Sequence, residues 1–153
     1  GTSANTSWAS GASSAPPSYS GAALSKVGPI TSALAGKCVD ISQSGTANGT
    51  KAQLWTCNGT GAQRWAVVGD GTLQAQGGCL DVSNSGTANG SKVQLWSCNG
   101  SGAQQWQVKS NGALVNPESN RCLDDPGSTT TDGTQLQIWD CNATNAQTWT
   151  TSP

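Results

Sequence analysis

Polar and apolar residues alternate over short runs along this chain. Lys51-Ala52-Gln53-Leu54-Trp55-Thr56 reads as an extended strand on which Gln53 and Trp55 share a face. Lys92-Val93-Gln94-Leu95-Trp96-Ser97 reads the same way. Trp65-Ala66-Val67-Val68 and Trp106-Gln107-Val108-Lys109 form a second strand type. Asp70-Gly71 and Asn111-Gly112 stand where hairpins turn, because such pairs accept the positive φ of tight turns. No segment carries a 3.6-residue apolar period, and Gly or Asn-Gly interrupts the chain every few residues. The pattern predicts an all-β chain of short strands.

These strands belong to a threefold repeat. Cys38-Val39-Asp40 recurs as Cys79-Leu80-Asp81 and Cys122-Leu123-Asp124. Gln53-Leu54-Trp55 recurs as Gln94-Leu95-Trp96 and Gln137-Ile138-Trp139. Each is followed by Cys-Asn (Cys57-Asn58, Cys98-Asn99, Cys141-Asn142) and then by Gln-x-Trp, ending at Trp65, Trp106 and Trp149. The period is 41 residues from Cys38 to Cys79 and 43 from Cys79 to Cys122. Ser44 to Gly49 reappears letter for letter as Ser85 to Gly90. The repeats span about residues 27–68, 69–109 and 110–153, with about four short strands in each. Three such units are too few for a self-capping solenoid, so a closed ring is expected. The segment Gly28 to Ser32 is placed to close it against Trp149 to Ser152.

The six cysteines pair naturally within repeats, as Cys38–Cys57, Cys79–Cys98 and Cys122–Cys141, each with a spacing of 19. Zinc ligation needs tighter spacing and usually His, of which there is none. Three disulfides imply an oxidising compartment and hence secretion. The chain opens with no basic start or apolar core of a signal peptide, and reads as a mature form or a piece of a longer secreted protein.

Composition narrows the chemistry. The 153 residues suit about one domain. The absence of His excludes Ser-His-Asp and Cys-His catalysis. Seven basic against eight acidic residues leave no footprint for nucleic acid, and no apolar run reaches membrane-spanning length. No cofactor or metal is expected. In residues 1–26 only Asn5, Trp8, Tyr19, Leu24 and Lys26 are not Ser, Ala, Gly, Thr or Pro. That stretch reads as a linker or N-terminal extension, with residues 27–153 the folded domain. Trp8 and Tyr19 do not suit a linker and are expected to pack on the domain or on a partner.

Three copies of Cys-[Val/Leu]-Asp, Gln-[Leu/Ile]-Trp-x-Cys-Asn and Gln-x-Trp resemble the ricin B-type lectin domain, called a family 13 carbohydrate-binding module in secreted bacterial glycosidases. The resemblance covers roughly residues 27–153 and implies a β-trefoil. It further suggests a module of a secreted actinobacterial glycoside hydrolase.

The two tryptophans of each repeat read differently. Trp65, Trp106 and Trp149 read as core, with the Gln of Gln-x-Trp holding a buried turn through backbone hydrogen bonds. For Trp55, Trp96 and Trp139 the resemblance implies a stacking platform for a pyranose ring, whose apolar C–H face suits an electron-rich indole. For Asp40, Asp81 and Asp124 it implies the principal hydrogen bonds to sugar hydroxyls; a carboxylate can accept two adjacent ones. Asn58, Asn99 and Asn142 serve either a hydroxyl network or turn chemistry. Gln53, Gln94 and Gln137, on the platform face, are further candidates. Many lectins of the family carry a sugar-contacting Asn just before the Gln-x-Trp glutamine, where this chain has Ala62, Ala103 and Ala146. Repeat three differs at Asp125-Pro126 and Asp140, so its site is expected to be the most individual. The sequons at Asn5, Asn48, Asn58, Asn89, Asn99 and Asn142 read mainly as turn sequence.

The expected function is non-catalytic carbohydrate binding. Up to three weak sites acting by avidity would target a covalently linked glycosidase to galactose- or arabinose-containing or xylan-type polysaccharide, with the chain itself monomeric. The alternative is a free-standing galactose-type lectin. A glycosidase in its own right fits poorly, because the three repeat aspartates would lie in separate pockets instead of flanking one bond. Inhibitor trefoils lack the repeated motifs.

Overall fold

The computed structural model describes residues 24–34 and 36–151. Trp8, Tyr19, the Asn5 sequon and most of the expected linker lie outside them. Repeat one contains β2 (Ile30–Ser32), β3 (Cys38–Ile41), β4 (Ala52–Trp55) and β5 (Trp65–Val68). Repeat two contains β6 (Leu73–Ala75), β7 (Gly78–Val82), β8 (Val93–Trp96) and β9 (Gln107–Val108). Repeat three contains β10 (Leu114–Asn116), β11 (Arg121–Asp124), a strand broken at Leu136 into β12 (Thr134–Gln135) and β13 (Gln137–Trp139), and β14 (Trp149–Thr151). An extra strand, β1 (Leu24–Gly28), pairs with the outer edge of β5. The expected domain boundary at residue 26 therefore falls inside a strand, since Lys26 is in register with Val67.

Two kinds of hairpin make the ring. Within each repeat the cysteine strand pairs with the Gln-x-Trp-x-Cys strand in one register: Cys38↔Trp55, Cys79↔Trp96, Cys122↔Trp139. This register brings Cys57, Cys98 and Cys141 back to close the three expected disulfides, each with a Cα–Cα distance of 5.1 Å. Between repeats, the last strand of one pairs with the first of the next. β5 turns into β6 through Asp70-Gly71, where Gly71 takes φ 93, and β9 turns into β10 through Asn111-Gly112, with Gly112 at φ 94. β14 pairs with β2, Trp149↔Ser32 through Thr151↔Ile30, and closes the β-trefoil.

Alternation along the strands sets the core. Val39, Leu54, Leu80, Leu95, Leu123 and Ile138 point inward, with Trp65, Trp106 and Trp149 buried beside them. Each of these indoles donates Nε1–H across its own repeat, to Val39 O at 2.9 Å, Leu80 O at 3.0 Å and Leu123 O at 3.1 Å. The bonds satisfy the one polar atom of a large apolar group, which is the condition for burying Trp.

The segments ending at Gly49, Gly90 and Gly133 also clasp the repeats together. Gly49 N–H donates to Leu95 O at 2.8 Å, Gly90 N–H to Ile138 O at 2.8 Å, and Gly133 N–H to Leu54 O at 2.7 Å. The side chain before each glycine completes the clasp. Asn48 Oδ1 accepts Ser97 N–H at 2.7 Å, Asn89 Oδ1 accepts Asp140 N–H at 2.7 Å, and Asp132 Oδ1 accepts Thr56 N–H at 2.9 Å. Repeat one thus holds repeat two, two holds three, and three holds one.

Candidate functional site

The outward faces of the intra-repeat hairpins carry the expected residues together. Trp55, Trp96 and Trp139 are 39%, 39% and 41% exposed, in contrast to the buried Gln-x-Trp indoles. Each sits between the two backbone groups that a clasp holds: the carbonyl before it and the amide after it. Asp40 and Gln53 are opposite one another in the β3–β4 register, as are Asp81 and Gln94, and Asp124 and Gln137. The strand pairing therefore places carboxylate, amide and exposed indole on one surface.

The carboxylates are pre-oriented. Gln53 Nε2 donates to Asp40 Oδ2 at 2.8 Å, and Gln63 Nε2 donates to Asp40 Oδ1 at 3.1 Å. The same pair of bonds holds Asp81 through Gln94 (2.9 Å) and Gln104 (3.2 Å), and Asp124 through Gln137 (2.8 Å) and Gln147 (3.0 Å). Each oxygen keeps a further acceptor direction for a ligand hydroxyl. Burial pushes the Asp81 carboxyl up from its ordinary value, and the bonds from Gln94 and Gln104 oppose that rise.

The Gln-x-Trp glutamines do more than the sequence suggested. Gln63, Gln104 and Gln147 end short 3₁₀ turns (Gly61–Gln63, Gly102–Gln104, Asn145–Gln147) that direct them inward. Gln63 donates to Thr56 O at 3.0 Å and accepts Asn58 N–H at 2.8 Å, the expected hold on a buried turn. Its bond to Asp40 is the unexpected part, because it makes a core-side residue a support for the outward carboxylate. The preceding Ala62, Ala103 and Ala146 are buried, and only Ala146 lines a described cavity.

Asn58 and Asn142 serve the turn and also line cavities. Asn58 Oδ1 accepts Thr60 N–H at 3.1 Å and Thr60 Oγ1–H at 2.7 Å, and Asn142 holds Thr144 at the same two distances. Asn99 Oδ1 accepts Ser101 N–H at 3.0 Å. The carbonyl side of each amide shapes the turn, while Nδ2 carries no protein partner and Asn58 and Asn142 line cavities.

Two of the three candidate sites are described as cavities. The first, about 380 Å³, is lined by Asp40, Gln53, Trp55 and Asn58, with Ser42, Gln43 and Ser44 on a short turn and Lys51, Thr60 and Gly133 on the rim. Gly133 comes from repeat three: a Cβ there would lie 3.7 Å from the Trp55 ring. Ser42, Ser44 and Lys51 recur as Ser83, Ser85 and Lys92, so the repeat itself was the signal that could have pointed to them. The second, about 310 Å³, is lined by Asp124, Gln137, Trp139 and Asn142 with Asp125, Gly127 and Ser128. Both volumes lie near the lower end for small-molecule sites.

Repeat three differs in its cavity lining, where Asp125 and Gly127 stand at the positions of Ile41 and Gln43, and also outside it. Asp140 joins the clasp, accepting from Asn89 Nδ2 at 3.0 Å and lying 3.4 Å from Arg121 Nη2. Asp125 occupies the position of core residues Ile41 and Val82, fully buried, with neither carboxyl oxygen hydrogen-bonded. Burial, and then the neighbouring Asp124 charge, push its pKa up from 3.8 to about 6. Among the described residues no group of three or more His, Cys, Asp or Glu could hold a metal ion, and no helix is long and apolar enough to cross a membrane.

The chain matches the family described as the ricin-type beta-trefoil lectin domain over residues 26–149. No curated protein matches it. Among solved structures, the designed threefold-symmetric protein ThreeFoil is 27% identical, with a TM-score of 0.74 over 80% of this chain and 95% of that one. The agglutinin of Abrus precatorius is 28% identical, with a TM-score of 0.75 over 82% of this chain and 47% of that one. A non-toxic homologue of type II ribosome-inactivating proteins from Momordica charantia, solved with α-methyl-D-galactoside, is 25% identical, with a TM-score of 0.70 over 82% and 47%. The chain thus spans about half the length of these two plant proteins. With its β-trefoil ring, three Cys-x-Asp and Gln-x-Trp hairpins and matching outward faces, the chain belongs to the ricin-type β-trefoil lectin domain family.

Proposed function

We propose that the chain is a non-catalytic carbohydrate-binding module. A pyranose stacks on Trp55, Trp96 or Trp139, while Asp40, Asp81 or Asp124 accepts two of its hydroxyls. Asn58, Asn99 or Asn142 donates through Nδ2, and Gln53, Gln94 or Gln137 lies alongside. The observation that carries this reading is the threefold juxtaposition of an exposed indole with a carboxylate held by two glutamine amides. The carboxylate is fixed before binding, so little ordering cost falls on the ligand contact. Each shallow site would bind at about millimolar Kd, or roughly −4 kcal/mol. Occupying several on one polymer raises avidity by about 10²–10⁴.

The favoured ligands are galactose- or arabinose-containing polysaccharides or xylan, and the galactoside complex of the Momordica homologue supports galactose. Three disulfides support an extracellular location. The Ser-, Ala- and Gly-rich N-terminal sequence supports covalent attachment to a secreted glycosidase, with the module monomeric. Affinity electrophoresis in arabinogalactan and xylan gels tests the reading. Retardation should weaken partly in each single Asp→Ala variant and vanish when Asp40, Asp81 and Asp124 are all replaced. Retention of binding in the triple variant overturns the pocket assignment. The Abrus agglutinin among the similar structures favours a second reading, a free-standing galactose-type lectin, for which haemagglutination inhibited by simple galactosides is the test.

A further inference from the structure

Asn-Gly occurs at 48-49, 58-59, 89-90, 99-100 and 111-112. Such pairs lose the side-chain amide by a defined route. The glycine nitrogen gives up its proton and bonds to asparagine Cγ; the Cγ–Nδ2 bond breaks, ammonia leaves, and a succinimide remains. Water then opens one of the two imide C–N bonds, giving aspartate or isoaspartate. The balance is one water in and one ammonia out, with no oxidant or reductant.

The fold sorts the five pairs by whether the attacking nitrogen is free. Gly49 N–H is bonded to Leu95 O (2.8 Å), Gly90 N–H to Ile138 O (2.8 Å) and Gly112 N–H to Lys109 O (3.0 Å). Gly59 and Gly100 N–H make no hydrogen bond to any described residue. Asn58 and Asn99 are exposed, and their Oδ1 atoms already accept N–H from Thr60 (3.1 Å) and Ser101 (3.0 Å). Donors on that oxygen stabilise the negative charge that develops when Cγ is attacked. The departing Nδ2 is unbonded. Repeat three keeps the same turn at Asn142, but Ala143, at φ 59, replaces the glycine, and its Cβ crowds the attack.

We propose that Asn58 and Asn99 are sites of spontaneous succinimide deamidation that progressively silences the sugar pockets of repeats one and two and spares repeat three. The silencing rests on the pocket assignment above; the chemistry does not. At Asn58, conversion replaces an amide with a carboxylate in the lining of the cavity that Asp40 also lines, and the matching turn puts Asn99 at the same place in repeat two. The isoaspartate product also lengthens the backbone before Thr60.

The test is ageing of the folded, disulfide-intact chain at mildly alkaline pH, followed by peptide mass mapping. Asn58 and Asn99 should convert at least about tenfold faster than Asn48, Asn89 and Asn111, a barrier difference of about 1.4 kcal/mol. In reduced chain unfolded in urea, all five should convert at similar rates. Equal rates in the folded chain overturn the proposal. Gly59→Ala and Gly100→Ala should stop conversion and leave binding intact: a Cβ at either position meets nothing within 4 Å, and the left-handed backbone there (φ 72 and 73) is one that Ala143 already takes in the matching turn of repeat three (φ 59). Binding is followed on lactosyl-agarose and on xylan. A Trp139→Ala chain, left with sites one and two, should lose retention in step with conversion. A Trp55→Ala/Trp96→Ala chain, left with site three, should keep it. Conversion without loss overturns the silencing alone. Failure of the fresh Trp139→Ala chain to bind either matrix removes the pocket assignment, and the silencing with it, while the order of conversion still stands or falls by mass.

Discussion

Replacing Asp125 by valine should stabilise the protein, and the gain should depend on pH. Ile41 and Val82 occupy the same position in the other repeats and are fully buried in the core. Asp125 is equally buried and its carboxyl oxygens have no partner, which is the costly way to bury a charge. Its pKa rises from 3.8 to about 6 through burial and then the Asp124 charge. A folded pKa above the unfolded one means the folded state binds the proton more tightly. The penalty is therefore absent below the unfolded value, grows as pH rises from 3.8 to about 6, and is complete above that. Its ceiling is about 3 kcal/mol. The open pocket beside Asp124 and Asp125 screens part of it, leaving about 2 kcal/mol. Burying a valine side chain adds roughly 1.5 kcal/mol. Asp125→Val should thus gain about 3–4 kcal/mol near pH 7 and only about 1–2 kcal/mol near pH 4. Urea unfolding followed by tryptophan fluorescence, with disulfides intact, reads this as a midpoint shift of about 1–2 M near neutrality. No gain near pH 7, or a gain that does not shrink near pH 4, refutes the reasoning. Asp125→Asn isolates the charge and should recover the pH-dependent part alone.

Three further outcomes follow from the same contacts. Gln104→Ala removes bonds to Asp81, Ser97 O and Asn99 N–H from a fully buried position, and should cost about 2–4 kcal/mol in chemical unfolding. It should also abolish ligand-induced shifts of the Trp96 indole N–H in NMR titration, while those of Trp55 and Trp139 persist. Replacing Cys79 and Cys98 together by serine should lower stability by about 3 kcal/mol through the freed unfolded chain, measured by the urea midpoint against the parent. Asp132→Ala removes the bonds to Thr56 and the 2.8 Å pair with Lys37, and should weaken binding at Trp55 in repeat one while leaving Trp139, in its own repeat, unaffected. Asp132→Asn should restore it, because Asn48 and Asn89 make the equivalent bond.

Much of the architecture is legible in the chain. Equal cysteine spacing pointed to the three disulfides, and Trp149 was matched to the Gly28–Ser32 segment that closes the ring. The division of the tryptophans into buried Gln-x-Trp indoles and exposed hairpin indoles agrees with what the family resemblance implied. These features are local or periodic: alternation decides which face a strand residue takes, and a repeat copies its hairpin register three times. Other features depend on partners that only the closed ring supplies. The Asn48 sequon reads as turn sequence, yet Asn48 and Gly49 grip the strand around Trp96 in the next repeat. Gln63 reads as a turn anchor, yet it also holds Asp40 across the hairpin. Asp125 reads as a pocket variant and does line that cavity, yet it sits fully buried at a core position with no partner for its carboxyl. The sequence by itself determined the repeat, the strand faces and the covalent staples, because each rests on spacing along the chain. Tertiary structure alone decided which backbone N–H groups are engaged and which carboxylates are held or stranded, because those depend on atoms that ring closure brings from a different repeat or across a hairpin.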